Sequence, residues 1–365
     1  MGRVLVALDS SKGSLDAATA TAALARGLRR HRSRPEVLEH PVADGGEGTL
    51  DAFEAAGFER VPVRVRGPVG GEVITGFAHR DGIAVVESAD ASGLGRLPGP
   101  PSRETAVAAS TCGTGQVIAA ALDAGHREVV VGLGGSASTD GGAGLLAALT
   151  GRDPELPRSA ELAGLHARLR GPDAARLVVA CDVDNPLCGP HGAAAVYGPQ
   201  KGADAALVAE LDRDLREWAR ELAAATGRAV ADSPGAGAAG GAGFALLALG
   251  GRRAAGIELV LDLTGLADRL AGADLVVTGE GALDRQTLRG KAPAGVARAA
   301  RDAGVPIVAA AGRNRLSTPD LAAAGFAAAF ALADLEPDPA RCMRDAAPLL
   351  ERLGARIAER LLPRG

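Results

Sequence analysis

Apolar and polar positions along this chain follow two rhythms, one of short buried runs and one of helical stripes. Positions 4–8 form a continuous apolar run, which predicts a buried strand, and 15–30 carry an Ala-rich helical pattern. A second strand over 37–42 and a second helix over 48–56 follow, giving an opening β-α-β-α order. The pattern then changes. Positions 61–65 alternate, 73–78 and 83–87 are strand-like, and the turn pairs Gly67-Pro68 and Asp81-Gly82 separate them, which predicts a small antiparallel meander. Beyond position 105 the strand–helix alternation resumes, with a helix over 114–123 and strands over 128–131 and 176–180. A charged amphipathic helix spans 204–225 and a buried helix 243–249. Strands at 275–278, 307–310 and 327–332 precede one last amphipathic helix over 339–362. The stretch 150–173 is polar and poorly periodic and reads as a surface connection.

Such alternation predicts an α/β fold with parallel-type sheets, in which ligands sit beyond the carboxyl ends of the strands. A length of 365 residues exceeds what one core usually fills, so two α/β domains are expected. The first βα units are expected to join the last. That gives a discontinuous Rossmann-like domain from 1–60 plus 270–365, an inserted second α/β domain over 61–269, and an active site in the cleft between them.

Composition narrows the function. Aromatic residues are 2% and the formal charge is -4, so neither a base-stacking platform nor a basic footprint for nucleic acid is present. The low-charge stretch 235–251 is shorter than a membrane-spanning helix, and the apolar run at the N-terminus is too short for a signal peptide; a cytoplasmic protein with no membrane partner is expected. Cys112, Cys181, Cys188 and Cys342 form no Cys-x-x-Cys pair and read as free thiols. Of forty basic residues only Lys12, Lys201 and Lys291 are lysine, and each sits beside glycine. Lysine is a compact point charge and arginine a planar fork, so a chain this biased toward arginine should retain lysine where a point charge is needed, as at a phosphate.

Five Gly-rich clusters follow predicted strands. Ser10-Ser11-Lys12-Gly13-Ser14 opens the first helix, whose N-terminal N–H groups suit a phosphate or carboxylate. Asp44-Gly45-Gly46-Glu47-Gly48-Thr49 brings two carboxylates into a small loop, to handle a cation or a proton or, for Asp44, to cap the second helix. Thr111-Cys112-Gly113-Thr114-Gly115 offers hydroxyls and amides to an anion, or Thr114 as a plain helix cap. The loop from Gly132 to Gly144 fits a dinucleotide fingerprint only loosely and lacks the acid on a second strand that such a site needs; it is a donor-rich loop suited to phosphate. The fifth, Thr278 to Lys291, delivers Glu280, Asp284 and Lys291 and does not have the spacing of a P-loop. Between them, Asp182-Val183-Asp184-Asn185-Pro186 follows a strand. The two aspartates could share a divalent metal, one could take a proton from an attacking hydroxyl, or the segment could be a structural turn.

Taken in order, Ser-x-Lys-Gly-Ser at 10–14, Ala-Asp-Gly-Gly-Glu-Gly-Thr at 43–49, Cys-Gly-Thr-Gly at 112–115 and Gly-Gly-Ser at 134–136 resemble the glycerate kinase type-1 family. So do Cys-Asp-Val-Asp-Asn-Pro-Leu-Cys-Gly-Pro at 181–190, Gly-Pro-Gln-Lys-Gly-Ala at 198–203, the Gly-rich run at 234–241, Thr-Gly-Glu-Gly at 278–281 and Gly-Lys-Ala-Pro at 290–293. The resemblance implies ATP-dependent phosphorylation of D-glycerate with Mg2+, chiefly to 2-phosphoglycerate. The chain departs from the family at Ser11, Cys112 and Thr139, where Phe, an aromatic and Asn are usual, and in a shorter segment between Leu149 and Arg176. On this footing Gly134, Gly135, Ser136 and Lys291, with Thr114 and Glu280, are assigned to the ATP phosphates. Asp182 and Asp184 are assigned to metal binding and hydroxyl activation, and Lys12, Asp44 and Glu47 to the opposite wall. A kinase of another small hydroxy acid and a non-catalytic sensor of glycerate or a sugar acid are the alternatives. A homo-oligomer is compatible with the pattern.

Overall fold

The computed structural model describes residues 2–11, 13–153, 155–171 and 174–363, with Arg289 described for its backbone. Lys12 lies outside the described residues. In chain order the strands are β1 (Arg3–Leu8), β2 (Glu36–Glu39), β3 (Glu59–Arg66), β4 (Glu72–Arg80), β5 (Ile83–Glu87), β6 (Glu128–Gly132), β7 (Arg176–Ala180), β8 (Arg252–Ala254), β9 (Leu275–Gly279), β10 (Ala282–Leu283), β11 (Ile307–Ala311), β12 (Arg313–Asn314) and β13 (Ala328–Ala331). The chain divides into two compact units. One holds Met1–Asp44, Asp51–Gly57 and Ile257–Gly365, and the other Gly45–Leu50 and Phe58–Gly256.

The first unit is built on a parallel sheet of order β13-β11-β9-β1-β2. Side chains alternate along a strand, and β1 feeds both faces. Val4, Val6 and Leu8 pack with the helices Ala17–Arg29 and Ala346–Leu361, whereas Leu5 and Ala7 pack with the helix Ala292–Asp302. The first two helices touch backbone to backbone. A Cβ on Gly27 would lie 1.9 Å from the Glu351 carbonyl oxygen and one on Gly354 would lie 2.3 Å from that of Leu24.

The second unit has a mixed sheet of order β3-β4-β5-β6-β7-β8, antiparallel from β3 to β5 and parallel from β5 to β8. The antiparallel part is the meander expected from the alternating segment. Val129 and Val131 of β6 and Val179 of β7 meet the helices Cys112–Asp123, Ala143–Thr150, Ala205–Thr226 and Ala242–Ala248 in one core.

Two segments differ from expectation. The expected connection over 150–173 holds a helix, Ser159–Arg168, anchored by Leu162 and Leu165 alone. Two buried leucines three apart among alanines leave too thin a stripe for a periodicity argument. Pro154, Pro172 and Asp173 in that stretch lie outside the described residues. The expected helix over 339–362 is two helices, Pro339–Arg344 and Ala346–Leu361, broken at Asp345. Pro348 is the cause. It has no N–H for the Arg344 carbonyl and its ring would clash there, but the first turn of a new helix tolerates it. The segment 103–123 is long and apolar enough to cross a membrane by length and composition, yet it is the two helices Arg103–Ala108 and Cys112–Asp123, with more than half of its apolar stretch buried inside the protein.

His40, in the first unit, is buried, and its Nε2 lies 3.0 Å from Thr264 Oγ1. The Thr264 hydroxyl donates to the Val260 carbonyl, so the imidazole N–H is the donor to Thr264. Burial, aided by the field of Arg269, pushes the His40 pKa down from 6.5 to about 4. The folded ring stays neutral where the unfolded chain binds a proton. Stability is therefore fully present above pH 6.5 and lost as pH falls toward 4, by about 3 kcal/mol at completion. Denaturant melts at pH 7 and pH 4.5 should show a smaller acid loss in His40→Gln than in the parent; equal losses would remove His40 from the acid limb.

Candidate active site

In the first unit the chain leaves β1 for β2 on one side, while β9, β11 and β13 build outward on the other. Such a switch point opens a crevice at the carboxyl ends of the central strands. Asp9 follows β1 there, buried, with its carboxylate accepting the Ser10 N–H at 2.6 Å. Gly279 ends β9, where a Cβ would lie 1.6 Å from the Ala310 carbonyl oxygen, so the strand end admits only glycine. Glu280 comes next. Its carboxylate accepts the Thr287 hydroxyl at 2.6 Å and the Lys291 ammonium at 2.9 Å, and its side chain is nearly buried. Burial opposes the charge on Lys291, but the hydrogen bond and field of Glu280, joined by Asp284 and Asp44, outweigh it and raise its pKa. The expected residues Glu280, Lys291 and Asp44 thus act on one another within this unit. Glu280 holds Lys291 as a charged ammonium on a part-exposed side chain that can meet an anion.

In the second unit, the loop after β6 is stacked on the Gly45-Gly46 turn. A Cβ on Gly132 would lie 2.5 Å from the Gly45 carbonyl oxygen, and one on Gly134 would lie 2.4 Å from Gly46 Cα. The Gly134 N–H is committed to the Gly45 carbonyl at 3.3 Å, so Gly134 shapes the loop. Gly135 is exposed and turns the chain with a φ of 69°, a conformation that favours glycine. Ser136 is buried behind it. Asp140 ties the far end of the loop down, accepting the Thr111 N–H and hydroxyl at 2.8 Å each and the amides of Gly142 and Gly144.

Thr114 differs from expectation. It is fully buried, and its hydroxyl is shared with Ser92 at 3.0 Å and Ser88 at 3.3 Å, so it packs the helix Cys112–Asp123 and presents no hydroxyl to a ligand. Glu47 is exposed on its turn. The amides of Gly48 and Leu50, opening the helix Thr49–Ala55, go to the buried carboxylate of Glu87 at 3.1 and 2.9 Å, an acid that no motif marked.

β7 ends at Ala180, so the strand alternation that would aim Asp182 and Asp184 the same way stops before them. Their partners differ. Asp182 accepts the Gly256 N–H at 2.8 Å, whereas Asp184 pairs with Arg253 at 2.7 Å and has a side chain 78% exposed. The next turn is fixed by Asn185, which donates to the His191 carbonyl and accepts from the Tyr197 hydroxyl. Cys181 is a buried thiol that burial pushes up in pKa. Among the described residues no three of His, Cys, Asp or Glu gather to hold a metal ion.

Lys201 was marked in the sequence only as a retained lysine. It is 3% exposed, and its ammonium donates to the Ser136 hydroxyl at 3.0 Å and to the Ser138 carbonyl. Both acceptors are neutral. Burial lowers its pKa from 10.5 to about 8, against a raising field from Asp140. A buried cation held only by a serine hydroxyl and a carbonyl, under an exposed Gly-Ser turn, gives that turn a positive field suited to an anion.

The glycerate kinase family model matches residues 4–362. A glycerate kinase of Halalkalibacterium halodurans is 40% identical over 377 residues, with 98% of each chain covered. A glycerate 2-kinase of Escherichia coli is 39% identical over 329 residues, covering 85% of each. The crystal structure assigned to glycerate kinase 2 from Salmonella typhimurium LT2 superposes with a TM-score of 0.76 at 37% identity, over 99% of this chain and 98% of that one.

Proposed function

The chain belongs to the glycerate kinase family and is a kinase, and from that premise we propose that it transfers the γ-phosphoryl group of ATP to D-glycerate, giving 2-phosphoglycerate. The buried Lys201 beneath Gly135-Ser136 carries this reading. Phosphoryl transfer needs mainly positioning and charge stabilisation, and a preorganised cation in a water-poor setting supplies the second. Gly135 and Ser136 receive the phosphates, Gly134 sets the turn, and Lys291 meets an anionic oxygen of substrate or nucleotide. Asp184, exposed and steered by Arg253, accepts the proton of the attacking hydroxyl. Lys12, Asp44 and Glu47 complete the anion- and proton-handling set.

Mg2+ fits this donor set. It is held by one or two carboxylates together with phosphates and water, and a loop carboxylate beside a phosphate turn supplies that kind of donor. Asp182, whose second carboxylate oxygen is not the one bonded to Gly256, is the carboxylate that would hold it, and bound there it would neutralise phosphate charge. ADP release should therefore depend on D-glycerate and on a divalent cation together, with the phosphorus resonance of the product split by the C2 proton. Undiminished turnover after exhaustive chelation would remove the metal. A resonance coupled to the C3 protons would assign the other hydroxyl, and D-glycerate binding without ADP release would favour a sensor.

Lys291→Ala should lower kcat/KM at least tenfold, about 1.4 kcal/mol of transition-state stabilisation. Unchanged kinetics in a folded variant would leave Lys291 a structural partner of Glu280.

A further inference from the structure

Beyond the Gly135-Ser136 turn the same loop forms one wall of a cavity of about 260 Å³ in the second unit. Trp218, Leu211 and Leu215 from the helix Ala205–Thr226, Val107 and Leu156 line it with Thr139. Val107 and Leu156 stand 62% and 61% exposed, two of the few large apolar side chains open to solvent among the described residues. Exposed apolar groups gathered around a concave apolar floor mark a ligand site more often than a surface accident. The floor also holds the only tryptophan of a chain with 2% aromatic residues, fixed by an indole N–H bond to the Gly141 carbonyl at 3.1 Å.

We propose that this cavity takes the adenine ring of ATP. The assignment rests on placing the phosphates at Gly135 and Ser136. Thr139 is three residues from Ser136, so cavity and turn lie within about 11 Å along the chain, a span that a ribose and its phosphates bridge. The volume falls below the roughly 300–1,000 Å³ of pockets that enclose a whole ligand, and suits one flat bicyclic ring. Its charge selects the base over the phosphates. The charged lining residues, Asp140 and Asp214, are both acidic, which repels phosphate but accepts from an exocyclic amine. The Asp140 carboxylate is already held by backbone and hydroxyl donors, leaving the exposed Asp214, whose other partner is Arg213 at 3.8 Å, to receive that amine.

Trp218, as the sole indole, reports directly on the cavity. Adenosine and ATP should each change its emission saturably, and tripolyphosphate should compete with ATP without changing it. Val107→Glu, at the exposed rim, should raise the KM for ATP at least tenfold and leave the KM for D-glycerate and the inhibition by tripolyphosphate unchanged. If tripolyphosphate competes but adenosine leaves the emission unchanged, or Val107→Glu keeps the parental KM for ATP, the adenine site is wrong and the phosphate turn stands. If tripolyphosphate does not compete with ATP, the phosphate placement fails and the adenine site with it.

Discussion

Lys201→Met should lower kcat/KM by about a hundredfold or more while leaving the protein as stable as the parent at neutral pH, or more stable. The two effects have one cause. The Lys201 ammonium is buried on neutral acceptors, and its folded pKa is about 8 against 10.5 in the free side chain. Between those values the unfolded chain binds the proton and the folded one does not. Stability therefore rises with pH from 8 to 10.5, and the charged form at pH 7 costs on the order of 3 kcal/mol relative to that upper limit. Methionine keeps the length of the stem and removes the charge, so that cost disappears with the ammonium. Asp140 offsets part of that cost within the chain, and a phosphate at Gly135-Ser136 would offset more. The parent's affinity for ATP should accordingly weaken as pH rises through about 8, and the variant should show no such limb. A Lys201→Met protein with lowered melting temperature and normal kinetics would make Lys201 a structural strut.

Much of the fold was legible because its signals are local. The runs at 4–8, 128–131 and 275–278 are short, apolar and closed by glycine or a polar residue, and they became β1, β6 and β9. The helix Ser159–Arg168 and the break at Asp345 were not, since the first has two buried leucines and the second depends on where Pro348 falls within a turn. The glycine clusters were legible as loops but ambiguous in purpose. Gly132, Gly134 and Gly279 are required by backbone approaching backbone, a contact between distant segments that a donor count cannot reveal. Lys201 and Glu87 show the same limit from the polar side. A lysine beside glycine and an acid at a strand end look ordinary in a sequence, and only tertiary burial makes one a field under a turn and the other an acceptor for two amides. Thr114 shows the converse, a hydroxyl in a promising motif that folding consumes inside the core.

Asp184→Asn should reduce kcat by at least about two orders of magnitude, the scale of removing a general base, with little change in melting temperature. The carboxylate is exposed and its one ion pair, to Arg253, is of the solvent-facing kind worth at most about 1 kcal/mol, so asparagine does little harm to the fold. Its position is nevertheless well defined. Arg253 draws it from one side, and the Asn185 bonds to His191 and Tyr197 hold the turn behind it. Asparagine keeps the shape and loses the ability to take a proton. Asp182 offers the contrast, because its carboxylate accepts the Gly256 N–H and so ties the loop after β7 to a distant part of the same unit. Asp182→Asn should therefore cost stability as well as rate. The affinity for nucleotide, measured by displacement at saturating Mg2+, should be unchanged in Asp184→Asn if the residue acts on the glycerate hydroxyl. A collapse of that affinity would make Asp184 a metal ligand, and a near-parental kcat would leave Asp184-Asn185-Pro186 as a turn and pass the proton-accepting role to Asp44, Glu47 or Glu280.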